Sequence, residues 1–269
     1  MTGLGVSTVL ADCRAQGRAA LIGYLPVGFP DPATSLRAMV SLVENGCDIV
    51  EVGLPYSDPL IDGPANQRAA AAALAAGTKV TDVFAATRAV RSAGAPPLVM
   101  TYWNLVLKYG VDRFADDLAA AGGAGLVTPD LIPEEALDWI AASERTGLDR
   151  VFLIAPSSTP ERLDIVTRAT RGFVYCASTM GVTGVRTQVS TTAQELTERA
   201  REVTDLPLCV GLGVSTGEQA AQVGSFADGV IVGSALVSTF FDTDPETGLE
   251  RLGALTRELA AGVAAGGRA

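Results

Sequence analysis

The sequence predicts an α/β fold, a single (β/α)8 TIM barrel over residues 1–269, and three observations predict it. Eight short apolar runs bounded by turn residues recur along the chain: Ala19 to Leu25, Ile49 to Gly53, Leu98 to Tyr102, Gly125 to Thr128, Val151 to Ile154, Phe173 to Ala177, Leu208 to Gly211 and Gly229 to Val232. Segments with helical spacing separate them, as in Leu36, Met39, Val40 and Val43, or Val83, Phe84, Thr87 and Val90. The runs are almost continuously apolar, as strands covered on both faces of a parallel sheet must be. An open doubly wound sheet is the alternative architecture.

The helices between the runs carry their own start signals. After the first run, Asp31-Pro32 places a capping side chain before a proline at the first helical position, and Thr159-Pro160 does the same after the fifth. Thr192 to Glu195 and Ser215 to Glu218 fit the capping box and open helices after the sixth and seventh runs. The alanine-rich stretch Ala69 to Ala76, with Arg68 and Leu74 at helical spacing, predicts an extra helix over a long loop after strand 2. The tail from Asp244 to Ala269 predicts a C-terminal helix with a frayed Gly-Gly-Arg end.

Composition removes several function classes. A net charge of −10 without a Lys/Arg cluster argues against nucleic acid or an anionic membrane as partner. The longest apolar stretch, near Leu98 to Leu107, is interrupted by Thr101 and Asn104 and falls short of the roughly 20 residues that cross a bilayer. Met1 to Asp12 lack the basic start and apolar block of a secretory signal, so a cytoplasmic setting is expected. Cys13, Cys47, Cys176 and Cys209 are scattered, with no C-x-x-C pair, and are expected as reduced, mostly buried thiols. Histidine is absent, which excludes Ser-His-Asp triads, Cys-His pairs and His-liganded metals. Proton transfer is left to Asp, Glu, Tyr, Lys or Cys.

In a barrel, catalytic groups sit at the carboxyl ends of strands. Within Ile49-Val50-Glu51-Val52-Gly53, alternation places Glu51 on the face of Ile49 and Gly53 and opposite the valines. If the valines face the helices, Glu51 points into the barrel mouth, where desolvation raises its pKa toward acid/base use; a structural acid satisfied by a loop amide or an arginine is the other option. The following loop, Leu54 to Pro64, holds Asp58 and Asp62 among three prolines and a glycine, stiff enough to hold Asp62 over the mouth; an ordinary Asp-Gly turn is the alternative. Ser178 to Arg186, after the sixth run, has the glycines and hydroxyls of a closing lid. Gly211-Leu212-Gly213-Val214-Ser215 and Val232-Gly233-Ser234 offer backbone amides and a helix start to a phosphate, which an acidic chain without basic clusters can bind in that way. Simple caps and tight turns would account for the same glycines.

These residues carry a resemblance. Gly23-Tyr24-Leu25-Pro26 with Gly28-Phe29-Pro30-Asp31, Glu51-Val52-Gly53-Leu54-Pro55-Tyr56-Ser57-Asp58-Pro59 with Asp62-Gly63-Pro64, Tyr102 with Asn104, Pro129-Asp130-Leu131, Gly181-Val182-Thr183-Gly184, and the glycine motifs after the last two runs follow one another in order and at family-like spacing. From about Ala19 to Phe240 the chain resembles the α subunits of tryptophan synthase. The resemblance implies reversible retro-aldol cleavage of indole-3-glycerol phosphate to indole and glyceraldehyde 3-phosphate, without a cofactor or metal of this chain's own. By the same resemblance Glu51 is the acid/base and Asp62 the carboxylate that bonds the indole N–H. Tyr175 lines the site, Thr183 closes the lid onto Asp62, and Gly184, Gly213, Gly233 and Ser234 bind phosphate. Tyr24, Met100 and Val127 surround the indole, core packing being an equal reading for the last two. Tyr24 stands where some relatives carry Phe, and Met180 is an apolar lid residue that is not universal. The implied partner is the pyridoxal phosphate β subunit in an α2β2 heterotetramer, with Pro55, Asp58 and Asn104 near the contact. A stand-alone lyase releasing free indole, a catalytically idle activator of the partner and another phosphate-binding barrel are the alternatives.

Overall fold

The computed structural model describes residues 5–177, 191–211 and 213–267. Among these, nine strands pair in parallel: β1 (Ala20–Pro26), β2 (Ile49–Gly53), β3 (Pro97–Met100), β4 (Gly125–Val127), β5 (Asp149–Val151), β6 (Leu153–Ile154), β7 (Val174–Ala177), β8 (Leu208–Gly211) and β9 (Gly229–Val232). Their order is β5-β4-β3-β2-β1-β9-β8-β7-β6. The two ends of that row, β5 and β6, are parts of one strand position separated by Phe152, which packs its buried ring into the outer layer. The Phe152 carbonyl accepts the Tyr175 amide at 3.1 Å, so eight positions close into a barrel and no open sheet remains. The fifth apolar run therefore begins earlier than its hydrophobicity suggests, at Asp149, and is two strands.

Alternation along the strands sorts side chains into two layers. Ala20, Ile22, Ile49, Leu98, Val127, Val151, Phe173, Cys209 and Ile231 fill the interior, while Leu21, Val50, Val52, Val99, Leu126, Val174, Val210 and Val230 pack beneath the helices. The interior is closed at the amino ends of the strands by helix Val6–Ala15, whose Val6, Leu10 and Cys13 join the inner cluster. Arg14 of that helix bonds Asp228, the residue before β9, at 2.9 Å.

Helix starts follow the sequence in part. Asp31 accepts from the Thr34 amide at 2.9 Å, Thr159 from Arg162 at 3.2 Å and Asp244 from Thr247 at 3.0 Å. Two capping boxes are shifted. Thr192 lies inside helix Thr191–Arg201, and helix Gly217–Gly224 is capped by Thr216, whose extended backbone turns its side chain to the Gln219 amide, while Gln219 reaches back to the Ser215 amide at 2.8 Å. The extra helix after β2 is present as Pro64–Ala75, but it buries Asn66, Ala69, Ala70 and Ala73 rather than Arg68 and Leu74. The C-terminal helix runs Pro245–Ala265. Tyr102 lies beyond the end of β3, where helix Trp103–Tyr109 begins; that helix has no side-chain cap of its own, and the Asp130 carboxylate accepts the Trp103 amide at 2.9 Å.

No described helix is long and apolar enough to cross a membrane. The four cysteines are free and buried, and burial pushes the Cys13 and Cys176 thiols up to about 12, which keeps them protonated and unreactive.

Candidate active site at the barrel mouth

At the carboxyl ends of β1, β2 and β7, the inward positions one layer above the core are Tyr24, Glu51 and Tyr175. Tyr24 and Glu51 are register partners across β1 and β2. Three neighbouring inward positions are glycines, and the tyrosines occupy the space this leaves. A Cβ on Gly53 would lie 2.5 Å from the Tyr24 ring, one on Gly211 would lie 2.4 Å from the Tyr175 hydroxyl, and one on Gly233 would approach Tyr24 to 3.3 Å. Glycine at these positions lets the Tyr24 and Tyr175 rings pack directly against the backbone.

Glu51 is fully buried, and neither of its carboxyl oxygens has a hydrogen-bond partner among the described residues. Ile49 is in the inner cluster and Val50 and Val52 in the outer one, which fixes Glu51 inward, as alternation requires. Burial alone pushes its carboxyl up to about 8, so at neutral pH it carries a proton that no described residue holds. A structural acid would be satisfied by an amide or an arginine; among the described residues Glu51 has neither.

Asp62 comes from the loop after β2. Gly63 is the residue before helix Pro64–Ala75, with φ −72°, so the Asp-Gly pair ends the loop and starts a helix rather than forming a left-handed turn. Gln67 donates to the Asp62 carbonyl at 2.7 Å. Burial raises the Asp62 pKa, and a hydrogen bond from Tyr102 opposes the rise. Tyr24 and Tyr175 each lie within the electrostatic reach of both Glu51 and Asp62, so the two carboxyl groups face one mouth.

Gly213, two residues beyond the end of β8, adopts the left-handed region at φ +63°. Gly233 precedes helix Ser234–Ser238, whose first amides lack partners within the helix by geometry, and Ser234 is buried there. Thr183 and Gly184 lie outside the described residues. Met100 and Tyr175 pack against the inner core, Val127 belongs to it, and Leu153 joins them as the register partner of Tyr175. Leu153 and the hydroxyl of Tyr102 escape sequence reading. Leu153 sits in a run whose break at Phe152 hides its parity, and Tyr102 reads as the end of a strand. No group of three or more His, Cys, Asp or Glu able to hold a metal occurs among the described residues.

Residues 10–264 match the family model described as tryptophan synthase alpha chain. The chain belongs to the tryptophan synthase alpha chain family. It is 64% identical over 258 residues to the tryptophan synthase alpha chain of Mycolicibacterium paratuberculosis, covering 96% of this chain and 94% of that one. A solved tryptophan synthase structure from Mycobacterium tuberculosis superposes with a TM-score of 0.91 at 60% identity, over 96% of this chain and 97% of that one. The tryptophan synthase A-subunit of the hyperthermophile Pyrococcus furiosus still superposes at 0.83 with 32% identity, over 91% and 98%. The family is one of lyases in tryptophan biosynthesis, and near full-length similarity to it leaves the stand-alone indole-releasing lyase without support.

Proposed function

We propose that the barrel mouth carries out the alpha reaction through Glu51 and Asp62, cleaving indole-3-glycerol phosphate reversibly to indole and D-glyceraldehyde 3-phosphate. The bond between indole C3 and the glycerol chain breaks only after C3 is protonated, when the ring becomes an electron-poor indoleninium. Glu51, protonated at neutral pH, delivers that proton. The resulting carboxylate takes the hydrogen of the adjacent glycerol hydroxyl. The oxygen becomes the aldehyde carbonyl, the carbon–carbon pair returns to the ring and indole leaves. Asp62, as an anion, accepts the indole N–H and stabilises the positive charge that grows there.

Tyr175 lines the pocket beside Glu51, and Tyr24, Met100 and Val127 border the indole. The amides at Gly213, Gly233 and Ser234 hold the phosphate, joined by Gly184, while Thr183 closes onto Asp62. The chain needs no metal or cofactor of its own; pyridoxal phosphate belongs to the partner β subunit, which takes indole in an α2β2 heterotetramer. Pro55, Asp58 and Asn104 lie toward that partner, and the setting is cytoplasmic, with the whole chain one barrel domain. The observation that carries this reading is a buried carboxyl group, inward at the mouth, with both oxygens unpartnered among the described residues. The test is indole release by wild type and Glu51→Gln, with and without β subunit. Turnover should fall by at least about 10²-fold in the variant. A rate within about tenfold of wild type would remove Glu51 from the reaction.

A further inference from the structure

We propose that Asn66 is a substrate-binding residue of the barrel mouth, its side-chain amide pairing with a hydroxyl of the glycerol phosphate chain. The inference rests on the reading of the mouth given above and adds a contact that recognises the hydroxyls rather than the ring or the phosphate. Asn66 lies in the first turn of helix Pro64–Ala75, one turn after Asp62. It is 8% exposed, and its side-chain oxygen has no hydrogen-bond partner among the described residues. An amide carries one acceptor and two donors, and burying such a group unpaired destabilises the fold that holds it. An acceptor at the third helical position can turn back to the amide that begins its helix, but the Asn66 oxygen does not.

The helix sets which way that amide faces. Asn66, Ala69, Ala70 and Ala73 are its buried residues and recur at the spacing of one helical face. The helix packs on β1 and on helix Ser234–Ser238, the elements that carry Tyr24 and the buried Ser234. The other residues of the face are alanines, so Asn66 alone on it reaches beyond a methyl group, and it stands at the end nearest Asp62. Its neighbours are tied elsewhere: Gln67 donates to the Asp62 carbonyl at 2.7 Å, and Arg68 bonds Asp242 at 2.9 Å and lies over the Phe241 ring at 4.2 Å. Ahead of the helix, the Leu60 and Ile61 amides donate to the Tyr102 hydroxyl at 3.1 and 3.2 Å. The turn that carries Asn66 is therefore held on both sides, between the carboxylate loop and the amides proposed to hold phosphate. A ligand that spans Asp62 and Ser234 passes it. Between the ring and the phosphate of indole-3-glycerol phosphate lie two hydroxyl-bearing carbons. One hydroxyl gives its hydrogen to Glu51, and the other, on the middle carbon, falls to Asn66. A hydroxyl both donates and accepts, so either end of the amide serves it.

The experiment is calorimetric titration of the full chain in the Glu51→Gln background, which is expected to bind substrate without cleaving it. The two probes are indole-3-glycerol phosphate and its propanol phosphate analogue, which lacks both hydroxyls. Asn66→Leu should weaken binding of the glycerol phosphate by about five- to tenfold and change that of the analogue by less than about twofold. Its urea midpoint without ligand should stay or rise, because a polar group is no longer buried there. With Glu51 restored, KM for indole-3-glycerol phosphate should rise by a similar factor with little change in kcat. An equal loss for both probes, or no loss for the glycerol phosphate, overturns the proposal. Should Asn66→Leu fail to fold, Asn66→Ala reads the same difference between the probes, with the same two results against it. Failure of both probes to bind the Glu51→Gln chain would instead overturn the reading of the mouth, and this proposal with it.

Discussion

A Cβ placed on Gly53 would come within 2.5 Å of the Tyr24 ring and 2.6 Å of its hydroxyl, so the glycine on β2 sets where the β1 tyrosine stands beside Glu51. Gly53→Ala should fold, because the obstructing atoms are the far end of a side chain, but it should displace Tyr24 and lower turnover by about tenfold or more, since small misplacements at a reacting centre are expensive. Steady-state rates with a crystal structure of the variant check this. An unshifted Tyr24 at full activity would show that the glycine is not needed for the site.

Glu51 weighs on the stability of the fold it serves. Its folded-state pKa is raised, from 4.5 to about 8, so folding favours the protonated form. The native state is unpenalised below the ordinary carboxylate range and loses stability as pH rises toward about 8, by up to about 5 kcal/mol at the upper end. Glu51→Gln removes that titration. Urea unfolding at a series of pH values should show the variant gaining on wild type as pH rises, while its activity is lost; a constant difference would mean that Glu51 titrates normally.

The opposite end of the barrel behaves in the reverse sense. Burial works against the Asp228 carboxylate, but the Leu208 amide at 2.8 Å, Arg14 at 2.9 Å and Arg201 hold its pKa below the ordinary value. Its stabilisation is present above that value and lost as pH falls through the depressed one. Asp228→Asn should cost about 3 kcal/mol at neutral pH, leaving two guanidinium groups short of a partner, and the gap to wild type should close on acidification. Denaturant melts across the acid range measure it.

Most of the barrel and the position of Glu51 were legible because they depend on local rules. Alternation in Ile49 to Gly53 decides which way Glu51 faces once the valines are known to meet helices, and Asp31 and Thr159 cap as written because a following proline fixes the first turn. What was missed depends on distant partners. The spacing of Val6, Leu10 and Cys13 is helical, yet nothing local tells that the helix plugs a barrel. The break at Phe152 arises because its strand position must serve β4 below and β7 above. Thr216 rather than Ser215 caps its helix because Gln219 is within reach of both residues and only one frame satisfies both amides. Tyr102 was visible as a residue but not as the anchor of the β2 loop, since Leu60 and Ile61 lie about forty positions away.

At neutral pH Glu51 is a neutral acid without a partner among the described residues, and in the proposed reaction its proton starts the cleavage. Difference infrared spectroscopy of the carboxyl C=O stretch, wild type minus Glu51→Gln, reads it directly. A protonated-carboxyl band is expected at neutral pH and should disappear as pH rises through about 8, together with the alkaline limb of indole release. A band already absent at neutral pH, with Glu51 titrating in the ordinary carboxylate range, would contradict it.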